Sequence, residues 1–474
     1  MGKTRVEKDF LGEMEVPAER YYGCQTARAL ENFPITGLKL DRDFVKALGM
    51  IKYAAAQANL ELGLLPKPIG EAIMEASQAV INGELNDEFP IDPIQGGAGT
   101  SANMNANEVI ANKAAEILGG ARGEYKLISP NTHVNMAQST NDVIPTAIRL
   151  AGLAKADRLE AVTKDLIKAL REKEEAFDHV IKMGRTQLQD AVPIRLGQEF
   201  GAWAVAVERS LKRALNSING FRKVNLGGTA IGTALNADPS YIVKVVENLS
   251  QISGYELIKA DNLIDATQNA DAFAAVADVL KTFALALSKI ANDLRLLSSG
   301  PKCGLKEINL PEVQPGSSIM PYKVNPVIPE VVNQVAFQVI GSNMTISMAV
   351  EAGQLELNVM EPVIAFNLFQ SFDMMTNVIE VFRKKCIEGI TANEDICRSM
   401  VEKSIGVVTA LNPHIGYENS CSIAEEAYKT GRSVKDVCIK RGILSEEEVN
   451  LILQPNEMTE PGIAGRKLLK QKVS

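Results

Sequence analysis

The stretch that decides the fold class runs from Asp271 to Leu297 and reads DAFAAVADVLKTFALALSKIANDLRLL. Its large apolar residues recur alternately three and four positions apart: Phe273, Val276, Leu280, Phe283, Leu287, Ile290, Leu294 and Leu297. An unbroken stripe with this heptad spacing is typical of long helices that wrap around one another. A second flank, made mostly of alanine, allows further helices to approach closely. The stretch therefore predicts a helical bundle whose helices contact their own neighbours and other subunits.

Helical patterns extend over most of the remaining chain. One runs through residues 41–77, with a break at the prolines near residue 66, and long helices dominate from about Val143 to the end of the 380s. Shorter helices follow towards the C-terminus. Residues 1–40 are expected to be irregular, because prolines and glycines interrupt any period there. The sequence thus predicts a mainly α protein.

Composition and charge exclude several classes of partner. Hydrophobic residues make up 46% of the 474 residues, which is enough for a large core, and aromatic residues only 5%, so aliphatic side chains and methionine must fill that core. The net charge of −8 offers no basic surface to nucleic acid or to an anionic membrane. We therefore expect no nucleic-acid or membrane partner, and we expect an anionic small molecule to be bound by local donors.

Three smaller signals bear on location, membranes and metals. Residues Met1–Asp9 contain no apolar targeting segment, so we expect a cytoplasmic protein. Residues 331–350 carry no charge, but seven polar side chains interrupt them, which favours a helix buried against protein over one in lipid. The six cysteines are scattered without a CxxC pair, and the chain has only three histidines, so we expect neither a metal site nor a disulfide framework.

Five stretches carry more hydrogen-bonding groups than a simple turn needs. They are Gly99–Glu108, Gln138–Asp142, Gly184–Ala191, Gly227–Thr233 and Gly316–Pro326. The last reads GSSIMPYKVNP, and its two prolines argue against a helix. Lys323 supplies a positive charge, and Asn325 with the serine hydroxyls supplies donors, which suits a carboxylate ligand. The alternative is an ordinary turn between two helices.

Two of the other stretches also have two readings. The run Ser139–Asp142 can cap a helix that begins near Val143, yet a cap needs only one such side chain, so donors remain for a ligand. The glycine-rich approach to Thr100 can hold an anion on free N–H groups at a helix start. It lacks the Gly-Lys-Ser/Thr ending of a phosphate-binding loop, so nucleotide binding is the weaker option.

The stretch Gly316–Pro326 resembles the signature loop of the aspartase/fumarase superfamily, and the other four stretches agree with that superfamily in the same order. The similarity runs nearly end to end and is strongest towards the bacterial aspartate ammonia-lyases. The resemblance implies three domains: a mostly helical N-terminal domain (1–138), a central long-helix domain (139–393) and a small helical C-terminal domain (394–474). It also implies a homotetramer with a twenty-helix core and active sites that are each shared between three subunits.

The activity that the resemblance implies is reversible deamination of L-aspartate to fumarate and ammonia. The reaction is an anti β-elimination through an aci-carboxylate, and it requires no organic cofactor and no metal; activation by Mg²⁺ stays open. The alternative within the superfamily is a class II fumarate hydratase that interconverts malate and fumarate. A non-catalytic role is a further alternative, because this superfamily includes lens structural proteins.

The superfamily pattern also implies roles for ten residues. Ser317 is the expected catalytic base, acting as an alkoxide. The α-carboxylate is expected to contact Lys323, Asn325 and Thr186. The β-carboxylate, where charge develops, is expected to contact Ser139, Thr140 and Ser318. The amino group is expected to lie among Thr100, Asn141 and Gln187.

Two positions set this chain apart within the pattern. Fumarases carry histidine where this chain has Gln187, and aspartases occur with either residue. Loss of hydroxide needs an acid and loss of ammonia does not, so Gln187 favours the ammonia-lyase. Tyr322 stands where the family usually has glycine or alanine, and a bulky residue there is expected to restrict the loop backbone. Of the three histidines, only His133 lies near a donor cluster; each is interpreted first as structural.

Overall fold

A computed structural model describes residues 3–472, with side chains as far as Leu469. Met1 and Gly2, with which the expected cytoplasmic start begins, and the last two residues of the predicted C-terminal domain lie outside the described residues. The chain is mainly α-helical, as the sequence predicts. The first nine helices are α1 (Cys24–Asn32), α2 (Arg42–Glu61), α3 (Lys67–Ile81), α4 (Thr100–Ile117), α5 (Thr140–Ala176), α6 (Leu196–Ile218), α7 (Pro239–Ser253), α8 (Leu263–Gln268) and α9 (Asp271–Leu297).

Two long helices and a series of short ones follow. They are α10 (Val327–Glu351), α11 (Glu361–Lys385), α12 (Glu394–Lys403), α13 (Asn412–Ile415), α14 (Tyr417–Thr430), α15 (Val434–Lys440), α16 (Glu446–Ile452), α17 (Pro455–Thr459) and α18 (Arg466–Lys472). The strands form two-stranded sheets in consecutive pairs: β1 (Thr4–Asp9) with β2 (Gly12–Pro17), β3 (Ile181–Thr186) with β4 (Gln189–Arg195), β5 (Lys223–Val224) with β6 (Ile258–Lys259), and β7 (Ile308–Asn309) with β8 (Thr391–Ala392). Of these four pairs, β5–β6 is parallel and the other three are antiparallel.

The chain forms two compact units whose segments alternate along the sequence. The first unit comprises the residues up to Ala161, Ser210–Ala284 and Val335–Asn377. The second comprises Val162–Arg209, Leu285–Gln334 and the residues from Val378 onward. The three domains expected from the superfamily are continuous stretches of sequence, whereas each of these units combines separate stretches. The units therefore do not test the three-domain division, which stays a prediction.

The heptad stripe predicts helix α9 with its observed bounds, and all eight apolar residues of the stripe are buried. Helix α4 likewise begins at Thr100, directly after Gly99, whose φ of +87° is a conformation that glycine adopts readily. Among the described residues, no helix combines the length and the apolar character that crossing a bilayer requires, and this includes α10, which contains the uncharged segment 331–350.

The expectation that residues 1–40 are irregular is wrong. Strands β1 and β2 form a hairpin there, and helix α1 follows it. The hairpin buries Val16 completely, and it buries the Glu7 carboxylate where it accepts a hydrogen bond from the Cys24 N–H (2.9 Å). These contacts join residues distant in sequence, so the local pattern gives no sign of them. The β3–β4 hairpin lies within the region that the sequence predicts to be mostly long helices.

Candidate active site

The ten predicted site residues occupy four short segments. In the first unit, Thr100 begins α4, and Ser139, Thr140 and Asn141 lie at the start of α5. In the second unit, Thr186 and Gln187 lie at the tip of the β3–β4 hairpin, and Ser317, Ser318, Lys323 and Asn325 belong to the loop before α10. Their individual roles stay predictions; the local geometry of each segment follows.

The start of α5 is held by a reciprocal cap. Ser139 Oγ accepts a hydrogen bond from the Asn141 N–H (3.2 Å), and the Asp142 carboxylate accepts one from the Ser139 N–H (2.9 Å). Asp142 is fully buried and also accepts the N–H groups of Gly227 (3.1 Å) and Thr229 (3.0 Å). Burial outweighs these bonds and raises the pKa of Asp142 to about 6. One carboxylate thus fixes the segment 139–141 against the glycine-rich stretch 227–233.

The three side chains of this segment are half-buried, and their protein contacts leave particular groups for a ligand. Ser139 Oγ accepts from Asn141 N–H, and Thr140 Oγ1 accepts from Asn103 Nδ2 (3.3 Å), so both hydroxyl protons can be donated elsewhere. Asn141 Nδ2 donates to the Ala230 carbonyl (2.7 Å), which leaves Oδ1 as its acceptor. The segment can therefore offer two O–H donors to a carboxylate and one amide oxygen to an ammonium group.

Thr100 stands at the end of an unusual backbone turn. Gly97, Ala98 and Gly99 all have positive φ, at +82°, +56° and +87°. The Thr100 hydroxyl donates to the Gly97 carbonyl (2.7 Å) and is exposed. The hydroxyl oxygen of Thr100 keeps acceptor capacity, which is compatible with its predicted place beside an amino group.

Gln187 lies in the two-residue turn at the tip of the β3–β4 hairpin. Thr186 pairs with Gln189 across the hairpin, and the two intervening residues, Gln187 and Leu188, have φ of +55° and +60°. Positive φ at both central residues defines a type I′ turn, in which side chains other than glycine, asparagine and aspartate are strained. Both side chains are exposed. Such strain is typical of positions whose side chain serves a function.

Buried ion pairs connect strand β3 of this hairpin with neighbouring segments. The Glu307 side chain is completely buried and contacts Arg185 (2.9 Å) and Lys182 (3.3 Å), and Lys182 also contacts Glu199 (2.8 Å). Burial raises the pKa of Glu199 despite this lysine. Glu307 immediately precedes β7, so the same carboxylate connects the hairpin with the segment that leads into the signature loop.

In the signature loop, residues 316–326, the hydroxyl of Ser317 is already surrounded by backbone donors. Its Oγ accepts the N–H groups of Ile319 (3.2 Å) and Met320 (2.9 Å). Ser317 and Lys323 line the same cleft of about 570 Å³. Backbone N–H groups favour negative charge on an oxygen, so these two contacts suit a serine that loses its proton.

The ends of the loop are fastened to each other. The Gly316 N–H donates to the Lys323 carbonyl (2.7 Å), and Asn325 Nδ2 donates to the Gly316 carbonyl (2.6 Å). A Cβ at position 316 would lie 2.5 Å from that Lys323 oxygen, so only glycine fits. At the tip, Tyr322 is fully exposed and has a φ of +66°, a conformation that is strained for a bulky residue. The expectation that its bulk restricts the loop backbone stays a prediction.

The three histidines all have structural contacts. His133 Nδ1 accepts the Ser129 N–H (3.0 Å) within a short π-helical turn, and burial lowers the pKa of this histidine. His179 Nε2 lies 3.2 Å from Glu394 Oε1, and His414 Nε2 lies 2.6 Å from the Ala464 carbonyl. These contacts agree with the interpretation of each histidine as structural.

Within residues 3–472, Glu7, Cys24 and Glu108 bring possible metal-ligand atoms within 4.8 Å of one another. The carboxylate oxygens of both glutamates already accept hydrogen bonds. Glu108 accepts four at the start of α1, and Glu7 accepts one from the Cys24 N–H and one from the Tyr125 hydroxyl. Burial raises the pKa of Cys24 to about 12, so its thiol keeps its proton. This donor set serves to anchor α1 and does not fit a metal ion.

Sequence reasoning assigned no role to a buried group next to the start of α5. Lys52, on α2, donates to the side-chain oxygens of Asn103 (2.7 Å), Gln138 (2.8 Å) and Asn135 (3.0 Å). A signal was present, because Lys52 falls four residues after Leu48 on the apolar face of α2. A lysine on a buried face requires polar partners, and the asparagine-rich start of α4 supplies one of them.

Comparison with known proteins identifies the class. Residues 12–341 match the family model described as lyase, and residues 407–460 match the model described as fumarase C C-terminus. The chain therefore belongs to this lyase family. It is 57% identical to aspartate ammonia-lyase from Bacillus sp over 464 residues, which cover 98% of this chain and 99% of that relative.

Solved structures confirm the mainly α fold. The fumarate lyase:delta crystallin from Brucella melitensis, in a cobalt-bound crystal structure, matches with a TM-score of 0.95 at 50% identity, covering 97% of this chain and 100% of that one. The class II fumarase from Schistosoma mansoni matches with a TM-score of 0.93 at 37% identity, with the same coverage.

Proposed function

We propose that this chain is an aspartate ammonia-lyase, which reversibly converts L-aspartate to fumarate and ammonia. The observation that carries the proposal is 57% identity, over nearly the whole of both chains, with an aspartate ammonia-lyase. Fumarase shares the fold at 37% identity, so the fold itself does not separate the two activities. Gln187 favours the first, because a neutral amide cannot protonate a departing hydroxide, whereas ammonia leaves as a neutral molecule.

The reaction begins with removal of a proton from C3 of aspartate, and we assign this step to Ser317. The support is the pair of N–H groups, from Ile319 and Met320, that already point at Ser317 Oγ. These donors lower the free energy of the alkoxide relative to the neutral hydroxyl, because they interact more strongly with a charged oxygen. Lys323 lines the same cleft, and its positive charge would add to this effect wherever the ammonium group approaches the hydroxyl.

Loss of that proton places a second negative charge on the β-carboxylate, which becomes an aci-carboxylate. Ser139 and Thr140 are suited to stabilise it, because a protein donor occupies the oxygen of each hydroxyl and leaves its proton for the ligand. Preorganised donors of this kind usually make the largest contribution to catalysis of such steps. The electron pair then expels ammonia from C2, while Asn141 and Gln187 lie beside the amino group.

We also propose that the protein is a homotetramer with a twenty-helix core, in which each site is completed by three chains. One face of α10 supports this, because it exposes an apolar stripe: Phe337 (64% exposed), Met344 (62%) and Met348 (67%). Apolar side chains in a row on a long helix favour association. Assembly would bring together the start of α5, the β3–β4 hairpin and the signature loop from different chains.

The chemistry proposed needs no organic cofactor and no metal, since hydroxyl, amide and ammonium donors meet all of the developing charge. A cytoplasmic location stays a prediction. The six cysteines, which are all free thiols, are compatible with a reducing compartment.

The test is fumarate formation, followed by ultraviolet absorbance, with L-aspartate and L-malate offered in parallel to protein treated with a chelator. We expect fumarate from aspartate alone. Fumarate from malate alone would identify a fumarase and refute the interpretation of Gln187. Activity that disappears with the chelator and returns with Mg²⁺ would refute the metal-free chemistry. Absence of turnover with both substrates would refute the proposed function and favour a non-catalytic protein.

A further inference from the structure

Three lysines of the described chain are almost completely buried, and one of them differs from the others. Lys52, Lys155 and Lys182 are 0%, 2% and 1% exposed. Lys155 contacts three carboxylates, and Lys182 contacts two: Asp41, Asp43 and Asp373, and Glu199 and Glu307, respectively. The three contacts of Lys52 are neutral amide oxygens. Within residues 3–472, no carboxylate forms an ion pair with it.

A buried ammonium group without a paired carboxylate is unfavourable, because the amide oxygens replace water only in part. Burial accordingly lowers the pKa of Lys52 to about 7, and the carboxylate of Asp142 opposes this shift without touching the lysine. Asp142 itself is committed to three backbone N–H groups. The ammonium form of Lys52 is therefore stabilised directly by three amide oxygens and, without direct contact, by the Asp142 carboxylate.

A short chain of hydrogen bonds connects this charge to the predicted site. Asn103 accepts from Lys52 through Oδ1 (2.7 Å) and donates from Nδ2 to Thr140 Oγ1 (3.3 Å). Consecutive hydrogen bonds polarise one another, so an ammonium group at one end strengthens donation at the other. The far end of this chain is the Thr140 hydroxyl proton, the group that a ligand would meet.

We propose that Lys52 is a positioning residue: through Asn103 it polarises the Thr140 hydroxyl, so that this hydroxyl binds the extra negative charge of the aci-carboxylate. The other two contacts of Lys52, with Asn135 and Gln138, hold the segment that leads into Ser139. The inference rests on the proposed function, since it concerns the intermediate of that reaction. It predicts that Lys52 stabilises the bound intermediate more than it stabilises the bound substrate.

The test compares two ligands that separate these states. Succinate has the two carboxylates of the substrate, whereas the nitronate form of 3-nitropropionate has two formally negative oxygens on one planar group, as the aci-carboxylate does. Asn103→Asp is the decisive variant: it gives Lys52 a carboxylate partner, so the protein should fold, but it removes the donor to Thr140. Lys52→Met removes the charge itself. Asn107→Ala is the matched control. Asn107 donates to Asn135 Oδ1 (3.2 Å), the oxygen that also accepts from Lys52, but it does not contact Thr140.

Affinities are measured by calorimetry on variants whose circular dichroism and oligomer size match the wild type. We expect Asn103→Asp and Lys52→Met to weaken nitronate binding by roughly 10- to 100-fold, the range for a hydrogen bond to a charged group, and succinate binding by less than about 3-fold. Asn107→Ala should leave the ratio of the two affinities unchanged. Equal losses for both ligands, or unchanged nitronate binding by Asn103→Asp, would overturn the proposal. Wild-type protein that bound neither ligand would instead refute the proposed function, and this inference with it.

Discussion

Replacing Ser317 by alanine separates the chemical role of the signature loop from its structural role. The substitution removes the oxygen that accepts the N–H groups of Ile319 and Met320. Both residues are exposed, so water can replace the lost acceptor, and the free energy of unfolding should fall by no more than about 1 kcal/mol. Loss of a general base lowers the rate by roughly 10²- to 10⁴-fold, or about 3 to 5 kcal/mol of activation free energy. The effect on rate should therefore greatly exceed the effect on stability.

The assay is kcat for aspartate deamination, measured beside urea unfolding and oligomer size. Ser433→Ala is the matched control, since Ser433 Oγ also accepts a backbone N–H, from Asp436 (3.1 Å), at the start of α15. We expect Ser433→Ala to keep the wild-type kcat. A folded Ser317→Ala protein with kcat within about 10-fold of the wild type, below the effect of losing a base, would show that another group removes the proton.

Three further predictions concern the loop, the buried lysine and the assembly. Chymotrypsin should cleave the chain after the fully exposed Tyr322, and Tyr322→Gly should prevent that cut. If the loop closes when a ligand binds, succinate at 100 times its Kd should slow the cleavage by up to roughly 100-fold. Cleavage at the same rate with and without succinate would contradict loop closure. Because burial lowers the pKa of Lys52 from 10.5 to about 7, the unfolded chain binds more protons between those values, and wild-type stability should rise with pH relative to Lys52→Met. Urea unfolding at pH 7 and pH 9 should show a relative gain of up to about 2 kcal/mol, and a constant difference would contradict the lowered pKa of Lys52. Met344→Lys places a charge in the exposed stripe of α10, so light scattering should show species smaller than the proposed tetramer, and kcat should be lower. A variant with the wild-type oligomer size would exclude this face from the interface.

Much of the fold is predictable because long helices carry their packing in a repeated local pattern. The stripe from Phe273 to Leu297 gives α9 its bounds, and the glycines before Thr100 give the start of α4. The hairpin at residues 4–17 is not predictable in this way, since its stability depends on the contact of Glu7 with α1 and on the burial of Val16. Contacts between distant residues have no period in the sequence.

The candidate site shows the same division. Hydroxyl- and amide-rich segments are visible in the sequence, and the resemblance orders them by role. The strained turn at Gln187 and Leu188 is not visible, because neither residue is one that favours positive φ. The neutral surroundings of Lys52 are likewise hidden, because its three amide partners come from two segments far along the chain.

The central claim is that this protein adds and removes ammonia by anti elimination at a single positioned base. The most direct measurement is the reverse reaction: fumarate and ammonia are incubated with the protein in D₂O, and the product is examined by proton NMR. The account predicts L-aspartate with one deuterium at C3, entirely as the diastereomer that anti addition forms, because one fixed base delivers the deuteron to one face. Malate as the product, or a mixture of the two deuterated diastereomers, would contradict it.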